Sequence, residues 1–123
     1  MDFKENKAIY LQIADRICEE ILTGVFREEE RVPSVREYAV KVEVNVNTVM
    51  RSYDKLQGDG VIYNRRGIGY FVAGGAVLRI KEMKKQTFMK EDMPVFFRQA
   101  SLLGMTAEEL QGEYENYLKN EEQ

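Results

Sequence analysis

The sequence predicts a mainly α-helical chain with one small β-hairpin, an α+β arrangement in which three helices and the hairpin precede a helical tail. Three observations carry that prediction. Isoleucines recur every fourth residue over 8–23, at positions 9, 13, 17 and 21. Two further stretches, 34–41 and 46–58, open on good capping residues and are joined by about four residues. Two β-prone runs then flank the glycine-containing "RRGIG".

Taken in order, Ile9, Ile13, Ile17 and Ile21 with Tyr10, Ala14, Cys18 and Leu22 form one amphipathic helix over 8–23, ending near Gly24. The polar loop "VFREEERVP" follows, and its glutamates read as a solvated charge run. Pro33 closes the loop and Ser34 caps a short helix, 34–41, that turns Val35, Tyr38 and Ala39 inward. Asn45 caps a third helix over 46–58. At about 100° per residue, its Val49, Ser52, Tyr53 and Leu56 share one face, with Asn47, Arg51 and Asp54 opposite. Thr48 and Met50 flank that outer face, and Val46 is exposed in the first turn. Val61–Asn64 and Tyr70–Ala73 are the hairpin strands, with Arg65 and Arg66 at the tip. Helix, helix, turn, helix and hairpin in that order make a winged helix-turn-helix.

Residues 75–119 read as helical. Pro94 demands a kink or a new helix near 92–94, because proline lacks the N–H that a helix interior needs. Thr106 through Glu109 fits a capping box for the last helix, and residues 120–123 should fray. Gly74-Gly75 marks the boundary, which gives a domain at 1–74 and a tail at 75–123.

Composition excludes several function classes. With no histidine and one cysteine among 123 residues, the chain lacks the usual general base and the commonest metal ligands. An enzyme is therefore not expected, nor a metal or cofactor. Cys18 falls on an apolar helix face and reads as a structural thiol. No apolar run approaches membrane-spanning length and the N-terminus has no apolar signal region, so a cytoplasmic protein is expected. The net charge is −3, yet residues 34–73 hold six basic side chains (Arg36, Lys41, Arg51, Lys55, Arg65, Arg66) against four acidic ones (Glu37, Glu43, Asp54, Asp59). Phosphate contacts are local, so that distribution outweighs the sum.

Residues 8–73 resemble the DNA-binding domain of the GntR family of bacterial transcription regulators. The likeness rests on P-S-x-R at 33–36, V-N-x-N-T-V at 44–49, Tyr53 with Leu56, G-x-I at 60–62, and R-x-G-x-G-x-F-V at 65–72. The short helical tail is similar to that of the YtrA-like subfamily, small regulators in which such a tail dimerises. The chain departs from the pattern at Glu28 and Glu29, where Pro-Gly is frequent, and at Glu43, where Gly is frequent. It also carries Val46 where a base-reading arginine is common.

The resemblance implies a sequence-specific regulator, with repression the expected sign, that binds a palindromic operator as a homodimer. Arg36 would grip a phosphate, the alternative being a salt bridge to Glu37 or Glu43. Asn47, Thr48 and Arg51 would meet base edges and backbone in the major groove, with Val46 against a thymine methyl. Such a set suits A·T-rich edges. Ser34 and Asn45 are candidate contacts that double as caps. Arg65, Arg66, Gly67 and Gly69 would bring the wing to the backbone or minor groove. Tyr53 belongs to the core, with a phosphate contact by its hydroxyl as the alternative. In the tail, Phe88, Met93, Phe96, Phe97, Leu102, Leu103, Leu110 and Tyr114 are the expected dimerisation residues. The tail carries no dedicated ligand-binding domain, and a small-molecule effector stays open. The rival reading is a winged protein–protein interaction module that does not bind DNA.

Overall fold

The order of elements follows directly from the caps and periodicities: three helices, a hairpin, and further helices. In the computed structural model, which describes residues 7–121, these are α1 (Ile9–Leu22), α2 (Val35–Val42), α3 (Val46–Gly58), β1 (Ile62–Arg65), β2 (Gly69–Val72), α4 (Ala76–Thr87), α5 (Met93–Leu102) and α6 (Ala107–Glu121). Phe88–Asp92 forms a π-helical turn between α4 and α5. The strands lie one residue off the expected runs. The chain packs as two units, one reaching to Met83 and one beginning at Lys84.

The first unit is built around the faces that periodicity predicts. Ile13, Ile17 and Ile21 of α1 meet Val35, Tyr38, Ala39 and Val42 of α2 and Val49, Tyr53 and Leu56 of α3, all buried. Burying aliphatic side chains of this size contributes roughly 1.5–3 kcal/mol each, which outweighs the low helix propensity of the β-branched residues among them. Cys18 is buried with them. A run of tyrosines ties the elements together. Tyr38 and Tyr53 lie 6.4 Å apart by centroid, and Tyr53 meets Tyr70 of β2 edge-on at 5.0 Å. Burial and a hydrogen bond to the Glu20 carboxylate push the Tyr38 hydroxyl far above its ordinary pKa.

The caps predicted for α2, α3 and α6 are all formed. Ser34 Oγ accepts from the Glu37 N–H at 3.1 Å, while the Glu37 carboxylate accepts from the Ser34 N–H at 3.0 Å. This reciprocal pair holds the Glu37 carboxyl below the usual range, with Arg31 adding to the effect. Thr106 and Glu109 form the same reciprocal pair at α6, each backbone bond being 3.1 Å.

The loop over 27–32 departs from expectation. It is not merely a solvated charge run. Arg31 bridges Phe71 in antiparallel fashion, the Val32 N–H donates to Tyr70 O at 2.9 Å, and the Glu29 N–H donates to Val72 O at 2.8 Å. Residues 29–32 thus run along the free edge of β2. Glu28 accepts from the N–H groups of Gly75 and Val77 at 2.7 and 3.2 Å, capping α4, and Glu29 accepts from the Tyr63 hydroxyl at 3.0 Å. Glu29 and Glu43 both adopt left-handed backbone, with φ of 68° and 57°. The turn between α2 and α3 therefore does require positive φ at Glu43, the residue that stands where glycine is frequent.

The first unit continues past Gly74-Gly75, because Ala76 and Ile80 at the start of α4 are buried in its core. In the second unit α5 begins at Met93 with Pro94 in its first turn, where the missing N–H costs nothing, so the predicted interruption is a π-turn and a new helix. Helix α6 continues through Glu121, and the remainder of the fraying expected over 120–123 lies outside the described residues. Among the described residues of this unit only Ala100 is buried. Phe96 packs against Phe97 at 5.8 Å, and both are about half exposed.

Candidate nucleic-acid interface

Helix α3 is held by its inner face, and that fixes what its outer face can offer. Val49, Ser52, Tyr53 and Leu56 are all at most 1% exposed. Ser52 Oγ donates to Tyr10 O at 2.7 Å, pinning α3 to α1. The Tyr53 hydroxyl donates to Pro33 O at 2.6 Å, which pins α3 to the start of α2. That hydroxyl is committed to the interior, so the phosphate alternative for Tyr53 is corrected: burial and a carbonyl partner remove it from the surface.

On the other side, Asn45, Val46, Asn47, Met50 and Arg51 are exposed and Thr48 is half-buried. Asn45 Oδ1 accepts from the Asn47 N–H at 2.8 Å, so its carbonyl end serves as the cap. The amide N–H₂ remains able to donate outward. Ser34 likewise spends its oxygen on a cap. The Arg51 guanidinium does not project freely: its Cζ sits 4.0 Å from the centroid of the Tyr10 ring.

Arg36 is exposed on α2 and, among the described residues, makes no ion pair with Glu37 or Glu43. The salt-bridge alternative is absent there, and its charge is open to an anion. Beyond α3 lies the hairpin, whose register pairs Ile62 with Val72 and Arg65 with Gly69. Arg65 is therefore the last strand residue rather than part of the tip, with its guanidinium 5.2 Å from the Phe71 ring. Tyr63 stacks on Phe71 at 5.8 Å. Arg66 is exposed in the turn itself. Gly67 and Gly69 have φ of 80° and 141°, which only glycine adopts without strain. A Cβ at Gly69 would also lie 2.9 Å from Arg31 Nε.

The fold thus brings α3, the start of α2 and the hairpin together as one unit. Three participants escaped the sequence reading. Arg31 lies against the wing at Gly69, Tyr10 backs Arg51, and the Tyr70 hydroxyl reaches Met50 Sδ at 4.0 Å to join wing to α3. None has a local signal, since each depends on a partner at least 20 residues away. Among the described residues no helix is long and apolar enough to cross a membrane, and no acidic or cysteine cluster could hold a metal ion.

The tail residues expected to dimerise are mostly uncovered. Phe88, Phe96, Phe97 and Tyr114 are 47–63% exposed, and Leu102 and Leu103 are 76% and 79% exposed. Met93 and Leu110 are intermediate.

Known proteins share this fold. The family described as bacterial regulatory proteins, gntR family, matches residues 9–72. YhcF of Bacillus subtilis, an uncharacterised transcriptional regulator of helix-turn-helix type, is 37% identical over 108 residues, covering 88% of each chain. YtrA of the same organism, a transcriptional repressor of helix-turn-helix type, is 32% identical over 110 residues, covering 89% of this chain and 84% of YtrA. A crystal structure assigned to the GntR family in Bacteroides thetaiotaomicron is similar at a TM-score of 0.83 and 54% identity, covering 93% of this chain and 99% of that one.

Proposed function

We infer that this chain, which belongs to the GntR family of bacterial regulatory proteins, is a sequence-specific DNA-binding regulator that acts as a homodimer on a palindromic operator. The observation that carries the reading is the outer face of α3. Asn47 and Arg51 stand exposed opposite a fully buried face, beside wing arginines with no ion pair among the described residues.

In this reading α3 enters the major groove and the wing, 61–73, lies on the backbone or minor groove. Arg36, Arg65 and Arg66 neutralise phosphates, which supplies affinity without sequence information. Asn47, Thr48, Arg51 and Val46 face base edges, and asparagine suits the paired donor and acceptor of adenine. Ser34, Asn45, Gly67 and Gly69 let backbone approach the duplex closely. The DNA-binding part, expected from the sequence over 1–74, takes in the buried start of α4 as well, and the rest of 75–123 is the tail. The exposed aromatic and leucine side chains of the tail supply the dimer interface, and a two-fold dimer would present two reading heads to a two-fold operator. Repression is the expected sign, as in the repressor YtrA.

A titration of the full chain against duplex from its own promoter, across a range of salt, tests the DNA reading. Affinity should fall steeply and linearly on a log–log plot. Absence of binding at low salt would sink it and favour a protein–protein module instead.

A further inference from the structure

An arginine on an exposed helix face ordinarily samples many rotamers, but Arg51 does not stand alone. Its Cζ lies 4.0 Å from the Tyr10 ring centroid, close enough for the guanidinium to sit against the ring face. Tyr10 is itself half-buried near the start of α1, and its carbonyl accepts the Ser52 hydroxyl at 2.7 Å. Ser52 follows Arg51 directly in the chain. The ring and the helix that bears the arginine are therefore fixed to each other at this point, one by side chain and one by backbone.

The guanidinium's five N–H donors all lie in its plane, so covering one face leaves its edges able to donate. A fork held in one orientation can meet a matched pair of acceptors, such as guanine O6 and N7, without first losing rotamer freedom. A swinging ammonium or an unsupported arginine offers charge but little discrimination.

We propose that Tyr10 is a positioning residue for base recognition: it holds the Arg51 fork so that Arg51 discriminates one base pair rather than merely attracting phosphate. This rests on the DNA-binding reading above. It also assigns a base-reading guanidinium to α3 despite Val46 at the frequent arginine position.

The test uses the full chain and the duplex it enriches from a randomised pool, together with every single-base variant of that duplex. Tyr10→Phe should keep the wild-type pattern. Tyr10→Leu should lower discrimination at one base pair by about five-fold, the scale of a lost cation–π contact, and leave the others unchanged. Arg51→Lys, a surface change that keeps the charge and removes the fork, should lose discrimination at that same pair. In an Arg51→Ala background Tyr10→Leu should have no further effect on discrimination. Equal weakening on every duplex, or losses that add in the double variant, would overturn the proposal while leaving DNA binding intact. Failure of the wild-type chain to enrich any duplex would overturn both.

Discussion

Glu28 accepts a hydrogen bond from the Gly75 N–H at 2.7 Å, although the two residues are 47 positions apart. With its second bond, to the Val77 N–H, the carboxylate acts as the N-cap of α4 from a loop that precedes the whole wing. A negative group at a helix start also meets the positive end of the helix dipole. Glu28→Ala should destabilise the first unit by about 1 kcal/mol, as loss of a helix cap does, and Glu28→Gln by less. Urea unfolding at constant slope reads this directly; an unchanged midpoint for Glu28→Ala would show that the cap contributes nothing.

Glu43 closes α2 in left-handed backbone at φ 57°. A side chain there is strained, whereas glycine is not, though glycine loses more freedom on folding. Glu43→Gly should therefore stabilise by about 0.5 kcal/mol net, and Glu43→Val should destabilise. A higher melting temperature for the valine variant than for the glycine variant would contradict this account.

Tyr53 is 1% exposed and donates to Pro33 O. Tyr53→Phe leaves the half-buried Pro33 carbonyl without this partner, a loss of about 1 kcal/mol. Duplex affinity of the folded fraction should not change, because the hydroxyl does not reach the surface. A selective loss of DNA binding with unchanged stability would restore the phosphate role.

The basic and polar candidates should separate by how they fail. Arg36→Ala and Arg66→Ala should weaken all duplexes alike and each lower the salt slope by about 0.9. Asn47→Ala should instead change which duplex is preferred. Identical behaviour of all three on every sequence would mean that the roles are misassigned.

The tail predicts its own measurement. Leu102 and Leu103 are the most exposed of the large tail hydrophobics, and apolar area of that kind is normally covered. Sedimentation of the wild-type chain should give a dimer, and Phe96→Glu with Leu103→Glu should give a monomer that still folds through Met83. A wild-type monomer at micromolar concentration would remove the dimer from the functional reading.

Much of the fold was legible because its signals are local. The isoleucine spacing of α1, the Ser34 and Asn45 caps, the α3 register, the break at Pro94 and the Thr106–Glu109 box all involve residues within a turn or two of one another, where helix geometry alone dictates which atoms meet. The outer face of α3 followed from the same register. Hairpin strands were placed to within one residue, since pairing across the wing, and not propensity, fixes their ends.

Charge and polarity in loops carry no such period. Whether "EEE" at 28–30 is solvated, caps a helix or joins a tyrosine depends on Gly75, Val77 and Tyr63, brought there only when the core closes. Likewise Arg51 faces outward by sequence, but the ring beneath it comes from α1. Burial periodicity is set within one helix, so the side of α3 left to meet a ligand can be read from residues 46–58 alone. How the arginine on that side is held follows from the packing of the fold, because its support arrives from another helix.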